Sequence, residues 1–175
     1  YLAQIAPYKG YGNDNNDGAI IRAEQAKVVD LISKTDMIVV SDIGDLDDIH
    51  PRNKIDVGKR FAGLALKNIY QTNPDFVGFP RYLSHEIKSE TVLVHFQNAP
   101  NGLKSMGSEI NGFEVQSMDD QWFPASASIK GADVMVQSTS VKKPKNVRFA
   151  MKNDSNPNLF NKEGLPASCF TTGKY

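Results

Sequence analysis

Two periods share this chain, and the change from one to the other limits what it can fold into. From Val92 onward apolar residues recur at every second position. Val92, Val94 and Phe96 lie on one side with Leu93, His95 and Gln97 on the other, and Phe113 and Val115 repeat the habit. So do Val134 and Val136, then Val147, Phe149 and Met151. Successive side chains of a strand point to opposite faces, so such runs belong to half-buried strands. Turn formers separate them: Pro100-Asn101-Gly102, Asn111-Gly112, Lys130-Gly131 and Lys143-Pro144. Short strands spaced in this way predict an antiparallel sandwich.

Before about residue 71 the pattern is different. Tyr1–Ala6 reads as a strand, residues 7–18 as a turn-rich loop, and Ala19–Ser33 as a helix with apolar residues at three- and four-residue intervals. Met37–Val40 reads as a buried strand. A second helix is expected from Asn53 to about Tyr70, with Asn53 as its cap and Asp56 at the third position. Val57, Phe61, Leu64 and Ala65 would face inward, and Lys59, Arg60 and Lys67 outward. Strand, helix, strand is the βαβ signature of a parallel sheet. The breakers Thr72-Asn73-Pro74 and Gly78-Phe79-Pro80 then divide the chain. Residues 1–71 are expected to form an α/β part, 72–85 a linker and 86–175 a β-sandwich domain. Two strands and two helices do not close an α/β core, so the first part is expected to be the last portion of a larger domain.

Twenty Lys and Arg balance twenty Asp and Glu, evenly along the chain, with no basic stripe, so nucleic acid is a poor partner. The apolar runs fall far short of the ~20 residues that span a bilayer. A single cysteine, Cys169, excludes an intrachain disulfide, and it has no basic neighbour in sequence to activate it.

The chemistry concentrates in the loop Ser41-Asp42-Ile43-Gly44-Asp45-Leu46-Asp47-Asp48-Ile49-His50-Pro51-Arg52-Asn53. It follows a buried strand, where α/β folds place their ligands. Asp47-x-x-His50 has the spacing at which a carboxylate can orient a histidine, half of a hydrolytic triad. The alternatives are a solvated acidic loop with a surface histidine, or a divalent-cation site on Asp42, Asp45, Asp47 and Asp48. His85, in the linker, and His95, on the outward face of a strand, suit structural or solvent roles. Trp122 reads as a sandwich-core residue, with a sugar-stacking platform as the alternative. No serine lies in a Gly-x-Ser-x-Gly elbow or in a Gly-Asp-Ser segment.

Several segments together resemble the C-terminal portion of a sialate O-acetylesterase of the SGNH-hydrolase superfamily. They are Tyr1-Leu2-Ala3-Gln4-Ile5-Ala6-Pro7-Tyr8, Asp42-Ile43-Gly44-Asp45, Asp48-Ile49-His50-Pro51-Arg52-Asn53-Lys54 and Val57-Gly58-Lys59-Arg60. Asn98-Ala99-Pro100-Asn101-Gly102-Leu103, Gly112-Phe113-Glu114-Val115, Asn158-Leu159-Phe160-Asn161 and Glu163-Gly164-Leu165-Pro166-Ala167-Ser168 continue the likeness. The resemblance implies an α/β fold, the end of a flavodoxin-like three-layer hydrolase domain followed by the antiparallel β-sandwich. It implies His50 as catalytic base, with Asp47 as its acid and Asp48 as second choice, and a nucleophilic serine upstream of Tyr1. No metal or organic cofactor is implied. The expected partner is an O-acetylated sialic acid or another acetylated glycan, acetylated xylan being the alternative, and the expected location is periplasmic or secreted. The rival expectation is a non-catalytic glycan-binding or structural fragment.

Overall fold

The computed structural model describes residues 1–175. Strand β1 (Leu2–Ala3), helix α1 (Asp17–Leu31), strand β2 (Met37–Ile38) and helix α2 (Lys54–Asn68) come first. β1 and β2 run parallel, with Leu2 opposite Met37 and Ala3 opposite Ile38, and α1 makes the crossover between them. Asn53 caps α2 as its sequence suggests, its side-chain oxygen accepting from the Asp56 N–H at 3.1 Å.

Ten strands follow: β3 (Arg81–Lys88), β4 (Thr91–Gln97), β5 (Leu103–Ser105), β6 (Phe113–Gln116), β7 (Trp122–Pro124), β8 (Ser126–Lys130), β9 (Asp133–Gln137), β10 (Asn146–Phe149), β11 (Leu159–Asn161) and β12 (Phe170–Thr171). One sheet has the order β3-β4-β9-β8, a second β12-β10-β6-β7, and β11 pairs with β5. All of these pairings are antiparallel. Val92, Val94, Phe96, Val134 and Val136 from the first sheet meet Phe113, Val115, Val147, Phe149 and Phe170 from the second in one apolar cluster. The sandwich expected from the alternation is therefore present.

The α/β fold class expected for the chain is corrected. Only two helices of 15 residues each are present, the parallel ladder is two residues long, and no flavodoxin-like three-layer stack of helices on a parallel sheet exists. The physical reason is that a βαβ pattern specifies one crossover and neither the strand number nor the layers. Here α1 buries Ala19 and Ala23 in the same cluster as the sandwich core. A smaller cluster joins β2 to α2 through Met37, Ile38, Val39, Val40 and Leu64, and Phe79 closes it.

Strand β3 begins inside the stretch read as a linker. It pairs with β4 from Arg81 opposite Gln97 to Lys88 opposite Thr91, with a bulge between Tyr82 and Ser84. Being an edge strand, it leaves Leu83, Ser84, Glu86, Ile87 and Lys88 exposed, so no apolar alternation marks it.

Candidate active site

The acidic loop leaves β2 and runs to the capped start of α2. Val39 and Val40 anchor its near end in the core. Asp42 is next fixed: its two carboxylate oxygens accept from Arg60 Nη1 at 2.7 Å and Nη2 at 2.6 Å. Arg60 Nη1 also donates to the Val39 carbonyl at 2.7 Å. The side chains of this pair are 10% and 18% exposed, so Arg60, expected on the outward face of α2, is buried. The bidentate fork fixes orientation as well as charge, and it pins the strand end to the helix that follows the loop.

Beyond Asp42 the loop is shaped by short polar turns. Asp45 Oδ1 accepts from the Asp47 N–H at 2.9 Å, and Asp48 Oδ1 accepts from the His50 N–H at 2.8 Å. Aspartate favours such turns because its carboxylate replaces a backbone acceptor two residues away. A second strap holds the loop from outside: Lys9 N donates to the Leu46 carbonyl at 3.0 Å, and Lys9 Nζ donates to Asp47 at 2.8 Å. Asp47, by that hydrogen bond and by its charge, raises the Lys9 ammonium above its ordinary value.

The two residues singled out for catalysis thus have different settings. Asp47 is engaged with Lys9 and its side chain is 78% exposed. Asp48 is the carboxylate beside the histidine, with Oδ1 4.0 Å from His50 Nδ1. That separation gives electrostatic contact without a hydrogen bond to the ring. The imidazole of His50 is 88% exposed. It stands at a strand-to-helix junction, with Pro51 biasing its backbone toward an extended conformation and the Asn53 cap two residues further on. An imidazole so presented can accept a proton from a hydroxyl brought up to it and return that proton to a leaving group.

The other candidates lie elsewhere. His85 accepts or donates a 2.8 Å hydrogen bond with the Tyr82 hydroxyl on β3, and burial, with His95 assisting, lowers its pKa. His95 is bound to Asp133 at 2.9 Å on the outward face of β4. No group of three or more His, Cys, Asp or Glu side chains comes together as metal ligands. Cys169 is buried, and burial raises its thiol pKa against the opposing pull of Arg22. Trp122 is half-buried at a cleft, not in the sandwich core.

Two features escaped the sequence. The Lys9–Asp47 strap joins residues far apart in the chain, which spacing within one loop does not reveal. The Arg60–Asp42 clamp did have a signal: Arg60 falls three residues after Val57 and four before Leu64, a core-facing position for a cation.

A scan against protein families found no match, and a search of curated proteins found none either. Among solved structures, the crystal structure of a novel carbohydrate acetylesterase from Xanthomonas citri superposes with a TM-score of 0.91 at 31% sequence identity. The match covers 99% of this chain and 41% of that one, so the chain spans less than half of the acetylesterase's length. In fold and in sequence, then, these residues are similar to one part of a carbohydrate acetylesterase.

Proposed function

We propose that this chain is part of a carbohydrate esterase that removes O-acetyl groups from a sugar, with His50 as its general base. The observation that carries the reading is the likeness over 99% of the chain to part of a carbohydrate acetylesterase. The exposed imidazole at the end of the β2 loop supports it, since a base must reach the proton it takes. The nucleophile in this proposal is a serine hydroxyl from outside these 175 residues. His50 takes the hydroxyl proton as the oxygen attacks the acetyl carbonyl. The ester C–O bond breaks, the sugar oxygen leaves with that proton, and an acetyl-enzyme remains. Water then adds, its proton passing through His50, and acetate departs as the serine regains its hydrogen.

Of the two carboxylates, Asp48 is assigned the role of stabilising the imidazolium, because it faces His50 while Asp47 faces Lys9. The acetylated sugar is proposed to be an O-acetylated sialic acid, as the segments around His50 suggest, with acetylated xylan as the competing substrate.

The test is substitution in the complete enzyme. His50→Ala should lower turnover of a generic acetyl ester roughly 10²–10⁴-fold, the usual worth of a positioned acid–base group, while the far-UV spectrum stays unchanged. Asp48→Ala should reduce turnover more than Asp47→Ala does. Near-normal hydrolysis by His50→Ala sinks the assignment. Comparing release of acetate from 9-O-acetylated sialic acid and from acetylxylan identifies the sugar.

A further inference from the structure

A cleft of about 1050 Å³ lies where the outer end of the β12-β10-β6-β7 sheet meets α1, and none of its lining residues belongs to the His50 loop. Its lining is polar, with Trp122 and Tyr175 as the aromatic exceptions. Lys27, Lys145, Arg148 and Lys174 line it with one carboxylate, Asp120, while Glu24 and Glu114 stand beside Lys27 and Arg148, leaving one cation in excess.

We propose that this cleft binds a sugar residue bearing a carboxylate, within the glycan on which the proposed esterase acts. The proposal rests on the carbohydrate reading above but not on the role of His50.

Three arrangements argue for it. First, the indole of Trp122 is held in place by the arginine stacked on it. The Arg148 guanidinium lies 4.3 Å from the ring centroid, and Glu114 fixes that guanidinium through Nε at 2.8 Å and Nη2 at 3.1 Å. A fixed, half-buried indole offers a flat apolar surface that the C–H face of a pyranose can cover at little entropic cost. Second, the Gln116 and Asn146 amides meet at 2.6 Å on the cleft wall beside Thr172, a cluster of donors and acceptors suited to sugar hydroxyls. Third, Gly173 lets the backbone lie close against the indole edge and both amides, fixing one wall of the cleft. A Cβ there would come within 3.1 Å of Asn146, Gln116 and Trp122 together, and its backbone has no left-handed φ that would otherwise demand glycine. A side chain at that position would push against the indole and both amides.

The charges decide between neutral and acidic sugars. Lys145 is paired with Asp120, Arg148 with Glu114, and Lys27 with Glu24, whereas Lys174 has no acidic partner. A carboxylate entering the cleft meets one unpaired cation, Lys174, and two lysines, Lys27 and Lys145, whose acidic partners are shared with solvent, a favourable net field, while the buried Arg148–Glu114 pair serves to hold the indole. Inorganic anions meet the same field but gain nothing from the indole or the amides.

Trp122 is the sole tryptophan, so its emission reports on this cleft alone. The full chain, as wild type and as His50→Ala, is titrated with digalacturonate, 3′-sialyllactose, neutral xylotetraose and sodium acetate at matched ionic strength. A saturable change in emission is expected with one or both acidic sugars, alike in both proteins, and the responding acid identifies the source of the carboxylate. Lys174→Glu, at an exposed position, should raise the Kd roughly tenfold, the worth of one charge-assisted contact. Gly173→Val, whose side chain would crowd the indole and both amides, should abolish the response by displacing them. No response to either acid, an equal response to xylotetraose, or an equal response to acetate overturns the proposal. An equal response in wild type and His50→Ala, set beside the hydrolysis assay on the complete enzyme, separates this site from the fate of the esterase reading.

Discussion

Arg60 occupies the face of α2 that Val57, Phe61 and Leu64 turn inward, where a cation is tolerated only because Asp42 and the Val39 carbonyl satisfy it. Removing one partner leaves the other buried and uncompensated, which costs more than the pair itself contributes. Asp42→Ala should therefore destabilise the chain by about 3 kcal/mol, read from the midpoint of urea unfolding. Arg60→Met added to that variant should recover part of the loss, because a thioether fills the space without a charge. If the double variant is no more stable than Asp42→Ala, the clamp is not what stabilises the loop. His85 carries a prediction of the other kind. Burial holds its folded pKa below the ordinary 6.5, so the folded state binds fewer protons than the unfolded state as pH falls through that value. The stability that neutral His85 contributes is full above pH 6.5 and is lost as pH descends toward the depressed folded value. Melting wild type and His85→Gln side by side should show their difference in Tm shrinking in acid, and a gap that stays flat would contradict it.

Helix α2 shows how an element can be read correctly while its use is misjudged. Its cap, its length and its apolar stripe were legible because capping chemistry and the 3.6-residue period are local properties. Strands β4, β6, β9 and β10 were legible for the same reason, since each has one face in the core. Strand β3 was not, because an edge strand with polar residues on both sides carries no period-2 signal. The Ser- and Ala-rich β8 gives little contrast between its faces either. The fold class failed at the next level up: β1, α1 and β2 do make a parallel crossover, yet α1 also packs Ala19 and Ala23 against the sandwich. In the candidate site, His50 was legible as a histidine at a strand-to-helix junction, whereas the partners of Asp47 and Asp42 are Lys9 and Arg60, which only the folded chain brings near. The cap offers the test at this scale. Asn53→Ala should cost about 1 kcal/mol, and hydrogen exchange should quicken in the first turn of α2 ahead of the rest of the helix. Uniform quickening along α2 would point to global destabilisation instead.

Across the whole molecule, the first thirty residues are tied to the last thirty by buried side chains. Asn153, 1% exposed, accepts from the Gly18 N–H at 2.7 Å and donates to the Tyr11 and Asp14 carbonyls at 2.5 and 2.9 Å, holding the loop that leads into α1. Arg22 Nη2 donates to the Lys152 carbonyl at 2.6 Å, and Gln4 Nε2 donates to the Arg22 carbonyl at 2.9 Å and to Ser168 Oγ at 2.8 Å. Together with Ala19 and Ala23 in the sandwich core, these bonds leave no seam along which α1 can detach while the sheets survive. Unfolding should then be a single transition. The two probes are independent: helical ellipticity comes from α1 and α2, and fluorescence from Trp122 in β7. Their midpoints in urea should coincide. Asn153→Ala strands the buried Gly18 N–H, at about 1–3 kcal/mol, and releases the part-buried Tyr11 and Asp14 carbonyls, so it should move both midpoints down together by the same amount. Were ellipticity lost in that variant at lower urea than the Trp122 signal, the helical segment and the sandwich would be separate folding units joined by weak contacts.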